Sequence, residues 1–174
     1  MRAKPQLRFC PSDPAWKLER LTAPDLIRYR DAFHRVGDEY LWTLRLLMTD
    51  EELTTYLTDP QIEVYFLATP DCDEGLLELD FRVANECEVA LFGVSSQLHG
   101  TGAGRWLMNQ ALEIAWSRPI ERFWLHTCTL DHPNALAFYR RTGLTPYARK
   151  IEVFDDPRYL GVTRDDAAPA VPIL

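Results

Sequence analysis

Between residues 94 and 103 the hydrophobic period of the chain switches from strand to helix, across a glycine-rich turn. Residues 87–94, Cys-Glu-Val-Ala-Leu-Phe-Gly-Val, form a largely apolar run that predicts a central strand. Residues 103–117 then place Leu107, Met108, Ala111, Leu112, Ile114 and Ala115 on one helical face. Between them stand Gly100, Gly102 and Gly104 at every second position, with Arg105 following. Glycines let the backbone turn tightly and aim several N–H groups one way. Those donors sit at a helix N-terminus, where the dipole also favours negative charge. The segment therefore reads as a phosphate cradle. It is not a Walker loop, because Arg105-Trp106 follows Gly104 where Lys-Ser/Thr is needed. Nor is it a dinucleotide fingerprint: the third glycine is misplaced, and two helices and several strands precede it.

The elements on either side follow from local signals. Residues 1–15 carry Pro5, Pro11 and Pro14 without a period and read as an extended lead-in. Residues 16–21 alternate as a first strand. Pro24-Asp25 opens a helix with the face Leu26, Tyr29, Phe33 and Val36, ended by Gly37. Thr49 and Glu52 form a capping box for a second helix, closed by Asp59-Pro60. Strands are expected at 62–69, 76–84, 87–94, 122–128 and 145–154, with a last helix from Pro133 to Gly143. The tail from 157 to 174 is rich in Asp, Ala and Pro and is expected to fray. This order predicts one α/β (α+β) domain over 16–156, with a mixed, mostly antiparallel sheet flanked by about four helices.

Composition limits the function. The 174 residues carry a net charge of −7, which argues against a general nucleic-acid binder. No run approaches the length of a membrane span, and the polar start Met1-Arg2-Ala3-Lys4-Pro5 lacks a signal-peptide core, so a cytoplasmic protein without membrane contact is expected. Cys10, Cys72, Cys87 and Cys128 are far apart with no zinc-type spacing, so free thiols and no metal are expected.

Two motifs together resemble a known family. Gln97-x-x-Gly100-x-Gly102-x-Gly104 is similar to the Q/R-x-x-G-x-G/A signature of the GNAT superfamily of N-acetyltransferases. Ala135-x-x-Phe138-Tyr139-x-x-x-Gly143-Leu144 is similar to that family's A-x-x-L-Y-x-x-x-G-F segment, which follows its fifth core strand. The order of elements fits from residue 16 to about 155. One slot departs: where the family often has Asn at the start of the last helix, this chain has His132, with Asn134 two residues later.

The resemblance implies an acyltransferase that uses acetyl-CoA (coenzyme A) and passes its acetyl group directly to an amine, with no covalent enzyme intermediate. It places the diphosphate against Gln97, His99, Gly100, Thr101, Gly102, Ala103, Gly104 and Arg105. The central strand near Phe92, Gly93 and Val94 should splay from its neighbour at 122–128, giving the pantetheine arm free backbone groups, with Asn134 or His132 adding a contact. Tyr139 matches the usual general acid and Glu88 a glutamate general base; Glu78, Asp80, His126 or a water chain are rival bases. Tyr40 and Trp42, with Glu78, Asp80 and His126, suit a cationic amine. The acceptor is a small molecule or a peptide amine. A non-catalytic acyl-CoA sensor and a protein N-terminal or lysine acetyltransferase remain open alternatives, as does a homodimer paired through 145–154.

Overall fold

The alternating and apolar runs in the middle of the chain pair into one five-stranded sheet, in a computed structural model that describes residues 1–173. Leu174, the last residue of the expected tail, lies outside the described residues. The elements are β1 (Lys17–Arg20), α1 (Leu26–Gly37), α2 (Asp50–Thr58), β2 (Ile62–Ala68), β3 (Asp73–Asp80), β4 (Glu86–Val94), α3 (Ala103–Ala115), β5 (Arg122–Leu125) and α4 (Ala135–Thr142). Strand order in space follows the chain, β1 to β5. The first four strands are antiparallel, and β5 runs parallel to β4. A parallel neighbour needs a long crossover, which the glycine turn and α3 provide.

Both faces of the sheet are covered, so β2 is buried along its whole length. On one face Leu77, Leu79, Cys87 and Val89 pack against Leu107, Met108, Ala111 and Leu112 of α3 and Tyr139 of α4. On the other, Val64, Phe66 and Leu76 pack against Tyr29, Phe33 and Val36 of α1 and Leu53 and Tyr56 of α2. Each large apolar side chain fully buried here contributes about 1.5–3 kcal/mol. Local caps set the helix limits. Asp25 accepts from the Arg28 N–H at the start of α1, Thr49 and Glu52 complete their capping box, and Gly143 ends α4 at φ +101°.

Several boundaries differ from those read in the sequence. The strand expected at 76–84 begins at Asp73 and ends at Asp80, because Gly75 pairs with Val94 and extends the ladder into the expected turn. The strand expected at 122–128 stops at Leu125. Residues 145–154 form no strand: 145–155 are all exposed. Alternation specifies a strand only where one face is buried and an edge is free. Here neither face of the segment is covered, and the outer edge of β5 is engaged at Phe123, whose N–H donates to the Met1 carbonyl and whose C=O accepts from the Met1 ammonium.

The ends of the chain are packed. Leu7 joins the α3-side core, and Pro11 lies against Gly102. In the expected fraying tail, Ala167 and Ala168 are buried against Leu41, and the Ala168 N–H donates to the Asp38 carbonyl. The Arg158 guanidinium is buried there and donates to the Ala167 and Val171 carbonyls.

One break in the sheet positions everything that follows. Pairing between β4 and β5 runs from Glu86↔Arg122 to Val89↔Leu125 and stops, while β4 continues to Val94. A register shift at Glu78/Leu79 leaves Ala90 without an opposite residue, and a bulge of this kind bends a strand. Beyond it β4 and β5 part, as the splay expected near Phe92–Val94 requires.

Candidate active site

The glycine turn lies at the open end of this break. Gly100 and Gly102 have φ of +78° and +97°, a region that other residues enter only with strain. The N–H groups of Gly100, Gly102, Gly104 and Arg105 meet no protein acceptor among the described residues. A Cβ added at Gly100 or Gly104 would meet nothing within 4 Å. The turn is thus an open cradle of unpaired donors at the start of a 13-residue helix, which suits an anion. The residues present fit the diphosphate of coenzyme A. Gln97, His99 and Thr101 are exposed at the rim, and Ala103 is buried beneath it.

The Arg105 side chain turns towards α4. Its Nη1 donates to Thr142 Oγ1 at 2.8 Å, and its guanidinium lies 4.4 Å from the centre of the Phe138 ring. It therefore ties the first turn of α3 to α4.

The two candidate catalytic residues stand on opposite faces of the sheet. Phe92 and Val94 pack on the α3–α4 side, where the Phe92 ring stacks on Phe138 and meets Tyr139 edge-on at 6.2 Å. The Tyr139 hydroxyl has no protein partner among the described residues. Burial, with a smaller contribution from the Asp131 charge, pushes its phenol well above the usual range. Glu88, flanked by the inward Cys87 and Val89, faces the α1 side instead. Its Oε1 is 3.3 Å from His126 Nδ1. That hydrogen bond, opposed by burial and aided by the Glu88 charge, raises the His126 pKa.

Gly93 also serves the α1 side. A Cβ there would come within 2.4 Å of Val36 Cγ1 and 2.8 Å of Trp42 Cη2, so glycine is what lets α1 and the Trp42 ring approach β4 this closely. The Trp42 Nε1 donates to Asp131 Oδ1 at 3.3 Å, and Tyr40 packs near both Trp42 and His132. His132 meets the His99 ring edge-on at 5.1 Å, so the β5–α4 loop touches both the glycine turn and the loop after α1. Asn134 is exposed, and its side-chain amide has no protein partner among the described residues.

Glu78 and Asp80 are not the cleft carboxylates that the sequence suggested. Glu78 is 0% exposed, and both its oxygens are taken: the Tyr29 hydroxyl donates to one, Arg45 at 2.7 Å and Tyr56 at 2.8 Å to the other. The inner face of β3 there is polar because this ion pair is sealed between the sheet, α1 and α2. Burial alone would raise the Asp80 carboxyl, but hydrogen bonds from Arg82 hold it below the usual range. Neither carboxylate is free for a substrate.

Asp131 is the site residue that sequence reading missed. It accepts from the Thr127 hydroxyl at 2.6 Å and the Cys128 N–H at 3.0 Å besides Trp42, and its charge reaches Tyr139, Tyr40 and His126. Among the described residues no His, Cys, Asp and Glu cluster could hold a metal ion, and no helix is long and apolar enough to cross a membrane.

Residues 29–144, more than half of the chain, match the model of the acetyltransferase (GNAT) family. The chain belongs to that family. As a GNAT acetyltransferase it uses acetyl-CoA as acetyl donor. Its fold is shared with an aminoglycoside acetyltransferase from an uncultured soil metagenomic sample, solved with trehalose. That match is 18% identical, covers 82% of this chain and 97% of the other, and has a TM-score of 0.67. The aminoglycoside N-acetyltransferase AAC(6')-Iy in complex with CoA is 8% identical over 80% of this chain and 98% of its own, with a TM-score of 0.60. A GNAT acetyltransferase from Elizabethkingia anophelis with acetyl-CoA bound is 17% identical over 74% and 75% of the two chains, with a TM-score of 0.55. No curated protein sequence matches this GNAT chain.

Proposed function

We propose that this acetyltransferase moves the acetyl group of acetyl-CoA to a primary amine of a small cationic molecule, with a basic peptide as the next class, by direct attack in a ternary complex. The observation that carries the reading is the parting of β4 and β5 beyond Val89 and Leu125, next to the open glycine turn. It leaves a gap through the sheet with Tyr139 on one face and Glu88 on the other.

When bound, acetyl-CoA supplies an activated thioester. The free N–H groups of Gly100, Gly102, Gly104 and Arg105 hold the diphosphate. The backbone groups of residues 90–94 that face away from β3, with the Asn134 amide, orient the pantetheine arm. An N–H of this stretch aimed at the thioester oxygen stabilises the negative charge that develops there, and one such donor is worth about 3 kcal/mol. Glu88 takes the proton of the ammonium, directly or through His126. Tyr139 gives a proton to the departing sulfur, and its buried phenol stays protonated through the neutral range, as an acid must. The separation of the two groups by the sheet supports amine entry from the α1 side and thiol departure on the α4 side.

On the α1 side, Tyr40, Trp42, Glu39 and Asp131 combine aromatic faces with negative charge, which suits a cation. The relatives named as aminoglycoside acetyltransferases support a polyamine-like acceptor of that kind. The test is thiol release from acetyl-CoA across polyamines, aminoglycosides, amino acids and basic peptides. Amine-dependent release is expected, strongest with multiply charged small amines. Acetyl-CoA binding without release to any amine would contradict the transfer reading and favour a sensor.

A further inference from the structure

The lead-in brings a cation to the last turn of α4, which Arg105 ties to the start of α3, from outside the motif. The backbone of residues 8–11 crosses α3: the Asn109 amide donates to the Arg8 carbonyl at 2.8 Å and to Cys10 Sγ at 3.4 Å, and Pro11 rests on Gly102. The Arg8 guanidinium reaches across to α4, where Nη1 donates to the Arg141 carbonyl at 3.2 Å. That bond uses one of the five N–H donors of the guanidinium and leaves the others available.

Arg8 and Arg105 therefore both donate to the last turn of α4, to the Arg141 carbonyl and the Thr142 hydroxyl, and the charges of Arg8 and Arg141 both reach Arg105. Among the described residues none of them is paired with a carboxylate, although the protein carries a net charge of −7. Arg105 is half-buried, and its acceptor there is the neutral Thr142 hydroxyl. Burial, followed by the Arg8 and Arg141 charges, holds its pKa below the usual range. Arg8 and Arg141 are exposed, so with Arg105 they present cations whose acceptors are neutral to an anion arriving from solvent.

The diphosphate of coenzyme A is already served by the neutral N–H groups of the turn. The same cofactor carries a further anion, the phosphomonoester on the 3'-oxygen of its ribose, with about −1.5 to −2 charge at neutral pH. We propose that Arg8, Arg105 and Arg141 form a subsite for this phosphomonoester, with the N-terminal segment supplying one of the three cations. The subsite rests on the reading of the glycine turn as the diphosphate cradle. It makes the enzyme discriminate coenzyme A from its 3'-dephospho form by charge. Arginine suits the task because its planar fork presents paired donors to phosphate oxygens.

The experiment is calorimetric titration of the full chain with coenzyme A and with 3'-dephospho-coenzyme A, for wild type, Arg8→Gln and Arg141→Gln. The wild type is expected to prefer coenzyme A by roughly tenfold or more, as charge-assisted phosphate contacts imply. Each variant is expected to lower that preference about three- to tenfold, with the loss falling on the phosphorylated ligand. Because the readout is a ratio between two ligands on one preparation, a partly unfolded fraction cancels. A wild-type preference within twofold, or variants that weaken both ligands alike, would overturn the subsite while leaving the glycine cradle standing. Binding of neither ligand would overturn the cradle and the subsite together.

Discussion

His126, the first residue beyond β5, holds its Nδ1 3.3 Å from Glu88 Oε1, on the strand beside it and just before the two strands part. The pair links the candidate base to the mouth of the gap. Glu88 favours the imidazolium, so the His126 pKa in the folded protein lies above its ordinary value of about 6.5. The stabilisation this gives is fully present below the unfolded pKa and is lost as pH rises through the folded one. Glu88→Gln is expected to lower the His126 pKa and to reduce turnover by about 10²-fold. An NMR titration of the imidazole, with initial rates on the same variant, checks both. An unmoved His126 pKa would separate the two residues.

The sealed Glu78–Arg45 pair gives a stability prediction. Removing one partner strands the other charge in a dry site, as with Arg45→Met or Glu78→Gln. Each single change is expected to cost about 3–5 kcal/mol, and the double replacement less than the sum. Urea unfolding of the two singles and the double measures this. A small loss from either single would mean that water reaches the network.

Gly104 separates stability from binding. It has no Cβ-forbidding φ, and a methyl group there meets no atom within 4 Å. In the first turn of α3, Gly104→Ala is expected to leave stability unchanged or raise it by up to about 1 kcal/mol. The same methyl fills the space in front of the cradle, so coenzyme A binding is expected to weaken at least tenfold. Thermal unfolding and calorimetry on one sample test both parts. Unchanged affinity would place the diphosphate elsewhere.

What could be read from the sequence was local. The Thr49–Glu52 box, Gly143 and the glycine turn each act within a few residues, so their signals survive without the fold; Gly37 lies inside α1 with φ −102°, and its lack of a side chain serves the Trp42 ring instead. Alternation along β3 put Glu78 and Asp80 on one face correctly, but it could not show that Arg45, Tyr29 and Tyr56 close over that face. Residues 145–154 alternate as well as any strand, yet pairing depends on a free edge, and Met1 engages β5 from the far end of the chain. Asp131 carried no motif: its tie to Trp42 joins the loop after α1 to the β5–α4 loop. Arg8 lay in a stretch without a period, and only its crossing of α3 gives it a place beside Arg105.

In the proposed reaction Tyr139 protonates the departing thiolate from the α4 face of the gap. The direct measurement is steady-state turnover of acetyl-CoA with the best amine of the panel, for wild type and Tyr139→Phe, alongside coenzyme A binding to both. The phenyl ring keeps the packing against Phe92 and Phe138 and loses only the hydroxyl. The expected result is a fall in kcat of about 10²-fold with coenzyme A still bound. An unchanged kcat in the variant would contradict the assignment and give the proton another source.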